Sequence, residues 1–146
     1  MSRIKVLLPE NYIFTTEIPV RITDLNYGGH LGNDSLLSIV HEARMRFLKN
    51  FNYTELNIEG KALLMVDALI NFIRESFHGD VLKIEINISN IDDKGFDMFY
   101  KITNKETGKL VAAVKTGMVF FDYEKKKLSN TPEKFKSFIT NLNNQG

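Results

Sequence analysis

Between positions 24 and 34 the chain gathers Asp24, Asn26, Gly28, Gly29, His30, Gly32, Asn33 and Asp34. Several kinds of chemistry meet in that stretch. His30 carries the only imidazole of the segment, and an imidazole takes up and returns a proton near neutral pH. The Asp24 carboxylate accepts hydrogen bonds from water, and the Asn26 amide can also donate to a carbonyl. The glycines let backbone approach a ligand closely and adopt positive φ. Asn33 or Asp34 is placed to cap a following helix. A helix start presents unpaired N–H groups and the positive end of a dipole, a setting that stabilises an oxyanion. The same residue types also build a plain Gly-rich turn with a capping Asn and a hydrogen-bonded His, and residue types alone leave both readings open. Farther on, Glu42 is either a second working carboxylate or the partner of Arg46 at i,i+4, a pair worth about 0.2–0.5 kcal/mol.

The elements around this segment must position it. Residues 12–23 are rich in β-branched and aromatic types and read as a strand, with Pro19 limiting its regular part. Residues 24–34 read as a loop. Leu36, Val40, Ala43 and Phe47 then recur with helical period, flanked by Leu37, Ile39 and Leu48, and predict a helix over about 34–49. Arg44 falls near its apolar flank, where a partly buried ion pair is expected. One helical turn is expected around 53–56. Four strands follow as an antiparallel meander. The first sets Leu64, Val66, Ala68, Ile70 and Phe72 on one face. The next alternates Leu82, Ile84, Ile86 and Ile88 with polar residues, and the third alternates Phe96, Met98, Tyr100 and Ile102. Residues 110–121 are nearly all apolar, as a strand covered on both faces would be. Glu124-Lys125-Lys126-Lys127 reads as a solvated turn, with the phosphates of a ligand as a minor alternative partner. A last helix starts with Thr131 as cap and Pro132 in its first turn, burying Phe135, Phe138, Ile139 and Leu142. The tail over 141–146 is expected to fray.

One physical solution is an α+β unit, a curved antiparallel sheet of about five strands wrapped around one long central helix, with a short C-terminal helix. The far face of the sheet must be solvated or covered by another subunit. The first strand after the long helix is apolar on both faces, which implies a homo-oligomer.

Composition narrows the function classes. The 146 residues carry a net charge of +1, which gives no reason to expect nucleic acid or an acidic membrane as partner. With no cysteine, thiolate nucleophiles, disulfides and Cys-ligated zinc are excluded, and a cytoplasmic location is compatible. The apolar start stops at Pro9, too short for a signal-peptide core, and no run reaches membrane-spanning length. His41 reads as a helix-flank residue and His78 as a turn residue, neither with metal-ligand spacing, so no metal is expected.

The stretch Asp24-Leu25-Asn26-Tyr27-Gly28-Gly29-His30-Leu31-Gly32-Asn33, followed in the helix by Glu42-Ala43-Arg44, resembles the signature of the 4-hydroxybenzoyl-CoA thioesterase-like branch of the hotdog-fold superfamily. That signature runs roughly Asp-x-Asp-x-x-Gly-His-x-Asn-Asn. Residues 63–80 and 109–122, with Arg74 ahead of Gly79-Asp80, resemble the family's later strands. The resemblance implies a single hotdog domain over 1–146, with its core over about 12–140. It implies hydrolysis of an acyl thioester of coenzyme A or acyl carrier protein. Coenzyme A would enter as part of substrate and product, with no other cofactor. It further implies a homodimer or tetramer, with sites between the helix start of one subunit and strand residues of the other.

One position departs from the pattern. The family commonly has its catalytic carboxylate four residues before the His, and here that residue is Asn26. An amide is neither a general base nor a lasting nucleophile at neutral pH. Three readings follow. His30, Asp24 or Glu42 supplies the base; or Asn26 orients water or the thioester carbonyl; or the chain binds acyl thioesters without hydrolysing them. The candidate catalytic residues are thus Asn26, His30, Asn33, Glu42 and Asp24. Asn33 offers a capping side chain or an N–H for the thioester oxygen, and Asp24 alternatively fixes the loop. Gly29, Gly32 and Asp67 are the substrate-binding candidates. Asp67 is placed by the resemblance at the subunit contact, and its alternative is a solvent-facing Asp. An acyl channel is expected between helix and sheet, lined by some of Leu37, Phe47, Met65 and Phe72. A hydratase or dehydratase is a further alternative, although the loop looks less like that branch.

Overall fold

In the computed structural model, which describes residues 1–145, the elements run β1 (Phe14–Pro19), α1 (Asn33–Asn50), β2 (Ala62–Phe72), β3 (Val81–Asp92), β4 (Gly95–Asn104), β5 (Leu110–Asp122), β6 (Lys127–Ser129) and α2 (Glu133–Gln145). All pairings are antiparallel, in the order β1-β3-β4-β5-β2, with β6 on β5. The period-2 patterns set the inner face: Leu82, Ile84, Ile86 and Ile88 of β3 and Phe96, Met98, Tyr100 and Ile102 of β4 are all buried. Leu36, Ile39, Val40, Ala43 and Phe47 of α1 pack against them in one core. Phe135 of α2 closes one end, its ring 5.7 Å from those of Phe96 and Phe120.

The expected helix and its enclosing sheet are present, and several details differ. The four later strands are not a meander. β2 pairs with β5 and not with β3, so the chain crosses over between them and β2 becomes an edge. This seats the apolar β5 between two neighbours, which explains its composition. A bulge between Met65 and Asp67 breaks the expected common face of β2. Leu64 shares the outer face with Asp67, Leu69 and Asn71, while Ala68, Ile70 and Phe72 turn inward. The lysine run is a turn that returns as the sixth strand, β6. Residues 53–56 form turns, not a helical turn. The Thr131 hydroxyl is buried with no hydrogen-bond partner and therefore caps nothing. The tail is helical to Gln145, and Gly146 lies outside the described residues.

The outer face holds the largest surprise. Residues 4–12 form a strap across it, although 4–11 were expected outside the core and Tyr12 in the first strand. The regular part of that strand is shorter than the expected 12–23 and spans only Phe14–Pro19. Asn87 on β3 donates to the Asn11 carbonyl at 2.7 Å. Tyr12 lies under the Lys101 ammonium of β4. Asn71 on β2 accepts from Val6 N–H at 2.7 Å and donates to the Ile4 carbonyl at 2.9 Å. Both asparagines read as ordinary outward residues of their strands, and each instead holds the strap's backbone.

Candidate active site

α1 begins without a side-chain cap. Gly32 sits at the cap position and gives its own N–H to the Asp24 carbonyl at 3.0 Å. The first bond of the helix runs from Leu36 N–H to the Gly32 carbonyl. The N–H groups of Asn33, Asp34 and Ser35 therefore have no hydrogen-bond partner among the described residues. The expectation of a cap from Asn33 or Asp34 is overturned, because both are already helical. A Cβ at Gly32 would sit 2.8 Å from Asp34 Oδ1, so a larger residue there would have to move the Asp34 side chain.

The loop ahead of the helix is built around Asn26. Its Oδ1 accepts from the N–H groups of Gly28 at 2.9 Å and His30 at 3.3 Å. Its main chain donates to the His30 carbonyl at 2.7 Å. Gly29, with φ of +80°, makes the turn between them. The Asn26 oxygen is thus committed to the loop, and only its NH2 is left to donate outward.

A second segment, the β2–β3 connection, completes the site. Leu31 N–H binds the Ser76 carbonyl at 2.8 Å, and the Val111 carbonyl accepts from Ile73 and Arg74 N–H. The His30 ring meets Phe77 edge-on at 5.4 Å, and its Nδ1 lies 3.4 Å from Glu75 Oε1. Between loop and connection lies a cavity of about 310 Å³. Asn26, His30 and Asn33 line one side, and Arg74, Glu75 and Ser76 the other. Leu36, Phe72, Ile73 and Val111 supply apolar wall. The Ser76 hydroxyl is buried with no hydrogen-bond partner.

The structure thus brings together Asn26, His30, Asn33 and Gly32, and places the other candidates elsewhere. Gly29 shapes the loop but does not line the cavity. Asp24 is buried and holds Arg21, accepting from its N–H at 2.8 Å and its guanidinium at 3.1 Å. Burial alone would raise the Asp24 pKa, but the Arg21 hydrogen bonds and charge outweigh it and hold the carboxyl below its ordinary range. Asp24 lines a different cleft together with Glu42. Glu42 lies about 13 Å along α1 from Asn33 and pairs with Arg46 at 2.8 Å. Asp67 accepts from the Lys115 ammonium at 2.9 Å and from Gly117 N–H at 2.8 Å, and the Lys115 hydrogen bond first of all holds its carboxyl low. It too faces another cleft.

Of the expected channel residues only Phe72 lines the cavity; Phe47 is locked in the core beside Phe14 and Phe51. Arg44 is buried as expected, bonded to Glu55 and to the Tyr100 hydroxyl. Glu75 and Ser76 were not singled out from the sequence. Their signal was faint: a polar triplet, Arg74-Glu75-Ser76, between an apolar strand and a Gly turn.

Residues 20–139 match the family model described as the thioesterase-like superfamily. A 1,4-dihydroxy-2-naphthoyl-CoA hydrolase from Synechocystis is 26% identical over 132 residues, covering 88% of this chain and 96% of that protein. The crystal structure of a 1,4-dihydroxy-2-naphthoyl-CoA thioesterase from Synechocystis superposes with a TM-score of 0.80 at 26% identity, over 88% of this chain and 96% of that one. A Staphylococcus aureus protein solved with CoA gives 0.79 at 16% identity, over 96% and 89% of the two chains, a likeness of fold. The matched span takes in the His30 loop, the free helix start and strands β2 to β6, and the chain belongs to the thioesterase-like superfamily.

Proposed function

We propose that this chain hydrolyses acyl-CoA thioesters at the cavity beneath the start of α1. One observation carries the reading: an uncapped helix N-terminus opens onto a cavity that also holds His30, in a chain of the thioesterase-like superfamily. The thioester carbonyl oxygen sits against the Asn33 N–H, where the helix dipole favours the negative charge that develops on attack. The Asn26 NH2 adds a second donor. The acyl group lies against Phe72, Ile73 and Val111. The Synechocystis relative is named for an aromatic acyl-CoA, which makes aromatic acyl groups the first class to test. A cytoplasmic setting suits such substrates, and coenzyme A is needed only as their carrier. Among the described residues no helix is long and apolar enough to cross a membrane.

The working unit is a homodimer joined at the free edge of β2, where Met65, Val66, Phe72 and Ile73 are exposed beside unpaired backbone. Asp67, on that strand, would then lie near the partner's surface.

Purified protein is assayed for thiol release from aromatic, short-chain and long-chain acyl-CoAs, alongside Asn33→Pro. Proline fits the first helical position and the extended Gly32 before it, yet removes the N–H. Turnover of at least one thioester is expected, with kcat about 10²–10³ lower in the variant. Folded protein that releases no thiol overturns the reading. A second reading, binding without hydrolysis, is favoured by the committed Asn26 oxygen. Calorimetric binding of acyl-CoA without thiol release would establish it.

A further inference from the structure

Hydrolysis needs a group that takes a proton from water, and of the residues expected for that task His30 alone lines the cavity. The Asn26 oxygen is held by two backbone N–H groups. Asp24 is held by Arg21, and Glu42 by Arg46, both on another cleft. Asp67 is held by Lys115. Glu75 is the one carboxylate among the described residues that lines the cavity, and its Oε1 stands 3.4 Å from His30 Nδ1. That separation is longer than a good hydrogen bond, and catalytic contacts in ligand-free sites often tighten only when substrate binds.

We propose that His30 and Glu75 form the proton-transfer pair of this site, replacing the carboxylate that the resembling motif carries at position 26; this rests on the thioesterase reading. Glu75 accepts from Nδ1–H and so fixes the tautomer that leaves Nε2 free. Nε2 takes a proton from water as the water oxygen bonds to the thioester carbonyl carbon. The carbonyl π pair moves to oxygen, where the Asn33 N–H receives it. As the carbonyl re-forms, the C–S bond breaks and the leaving thiolate takes the proton back from Nε2. The products are the carboxylic acid and the free thiol, with His30 neutral again. Glu75 acts as a positioning residue, stabilising the imidazolium through its charge.

Two hydrogen bonds keep the pair in reach. Leu31 N–H to the Ser76 carbonyl ties the residue after His30 to the residue after Glu75. Phe77 N–H to Asp80 Oδ2, at 2.9 Å, closes the turn that follows. Phe77 also supports the His30 ring.

The test is steady-state kinetics on the best acyl-CoA for the wild type, His30→Gln, His30→Asn, Glu75→Gln, Glu75→Asp and Glu75→Gln combined with His30→Gln. Glu75 is exposed, so its variants are expected to melt with the wild type. His30→Gln is expected to lower kcat about 10²–10⁴-fold. Glu75→Gln is expected to lower kcat about 10-fold or more with KM unchanged, Glu75→Asp to recover part of it, and the double variant to match His30→Gln alone. Glu75→Gln within twofold of the wild type, or losses that multiply in the double variant, overturns the pair while leaving the thioesterase reading intact. A wild type that turns over no thioester overturns both.

Discussion

Position 26 shows how one atom can redirect a site. A carboxylate there could accept the same two loop hydrogen bonds on one oxygen and keep the other for chemistry, whereas the amide keeps only a donor. On the proposed mechanism the site relies on imidazole for proton transfer and on backbone N–H for charge. Ser76 matters too, since its hydroxyl is buried in the cavity wall and unpaired among the described residues. A buried hydroxyl without a partner costs free energy that a substrate or its water can recover. Ser76→Ala should therefore raise the stability of the free protein by about 1 kcal/mol and lower kcat/KM several-fold. Urea unfolding and thiol-release kinetics measure the two effects. Among the described residues Thr131 carries the other buried, unpaired hydroxyl, but outside the cavity. Thr131→Val should raise stability similarly and leave kinetics unchanged. The motif residues Asn26, His30 and Asn33 were legible because type and spacing coincide there. Glu75 and Ser76 were not, because they reach the cavity only through the β2–β3 crossover.

Among the elements, those with strong periodicity were read well and those governed by pairing were not. α1 and the alternation of β3 and β4 followed from side-chain period, which is local. The partner of β2 was missed because pairing is decided by the whole sheet, and the bulge near Val66 was missed because one inserted residue leaves composition unchanged. The β5–β6 turn has an electrostatic lock that the lysine run concealed. Asp122 binds the Lys61 ammonium at 2.8 Å and accepts from the N–H groups of Glu124 and Lys125. The Lys61 hydrogen bond first, then those of the turn, lower its pKa to about 2. A lowered carboxylate pKa stabilises the fold above the ordinary value near 4, and that contribution is lost as pH falls towards 2. Asp122→Asn should lower the melting temperature at pH 7, and the gap to the wild type should narrow between pH 4 and pH 3. Calorimetric melting across that range checks it.

For the whole molecule, the decisive contrast is between an open edge and a covered face. The β2 edge leaves backbone hydrogen bonds unpaired beside Met65 and Val66. The expected assembly is two chains, with mass read by light scattering. Val66→Asp places a charge beside Asp67 on that edge and should yield single chains with reduced thioesterase activity. Sequence pattern pointed to this strand, because it is apolar on both sides with no second long helix to cover it. The strap of residues 4–12 was not legible, since its anchors are asparagine side chains gripping backbone rather than a hydrophobic pattern. The strap also sets a limit on growth. Two sheets stack back to back most readily where both backs are bare, and here the strap lies across part of that face. Beyond the strap the outer surface carries Asp67, Lys115 and Asp97 in mutual contact, a wet and charged tract. On the proposed dimer the chains join sideways, and light scattering is expected to read two copies and not four.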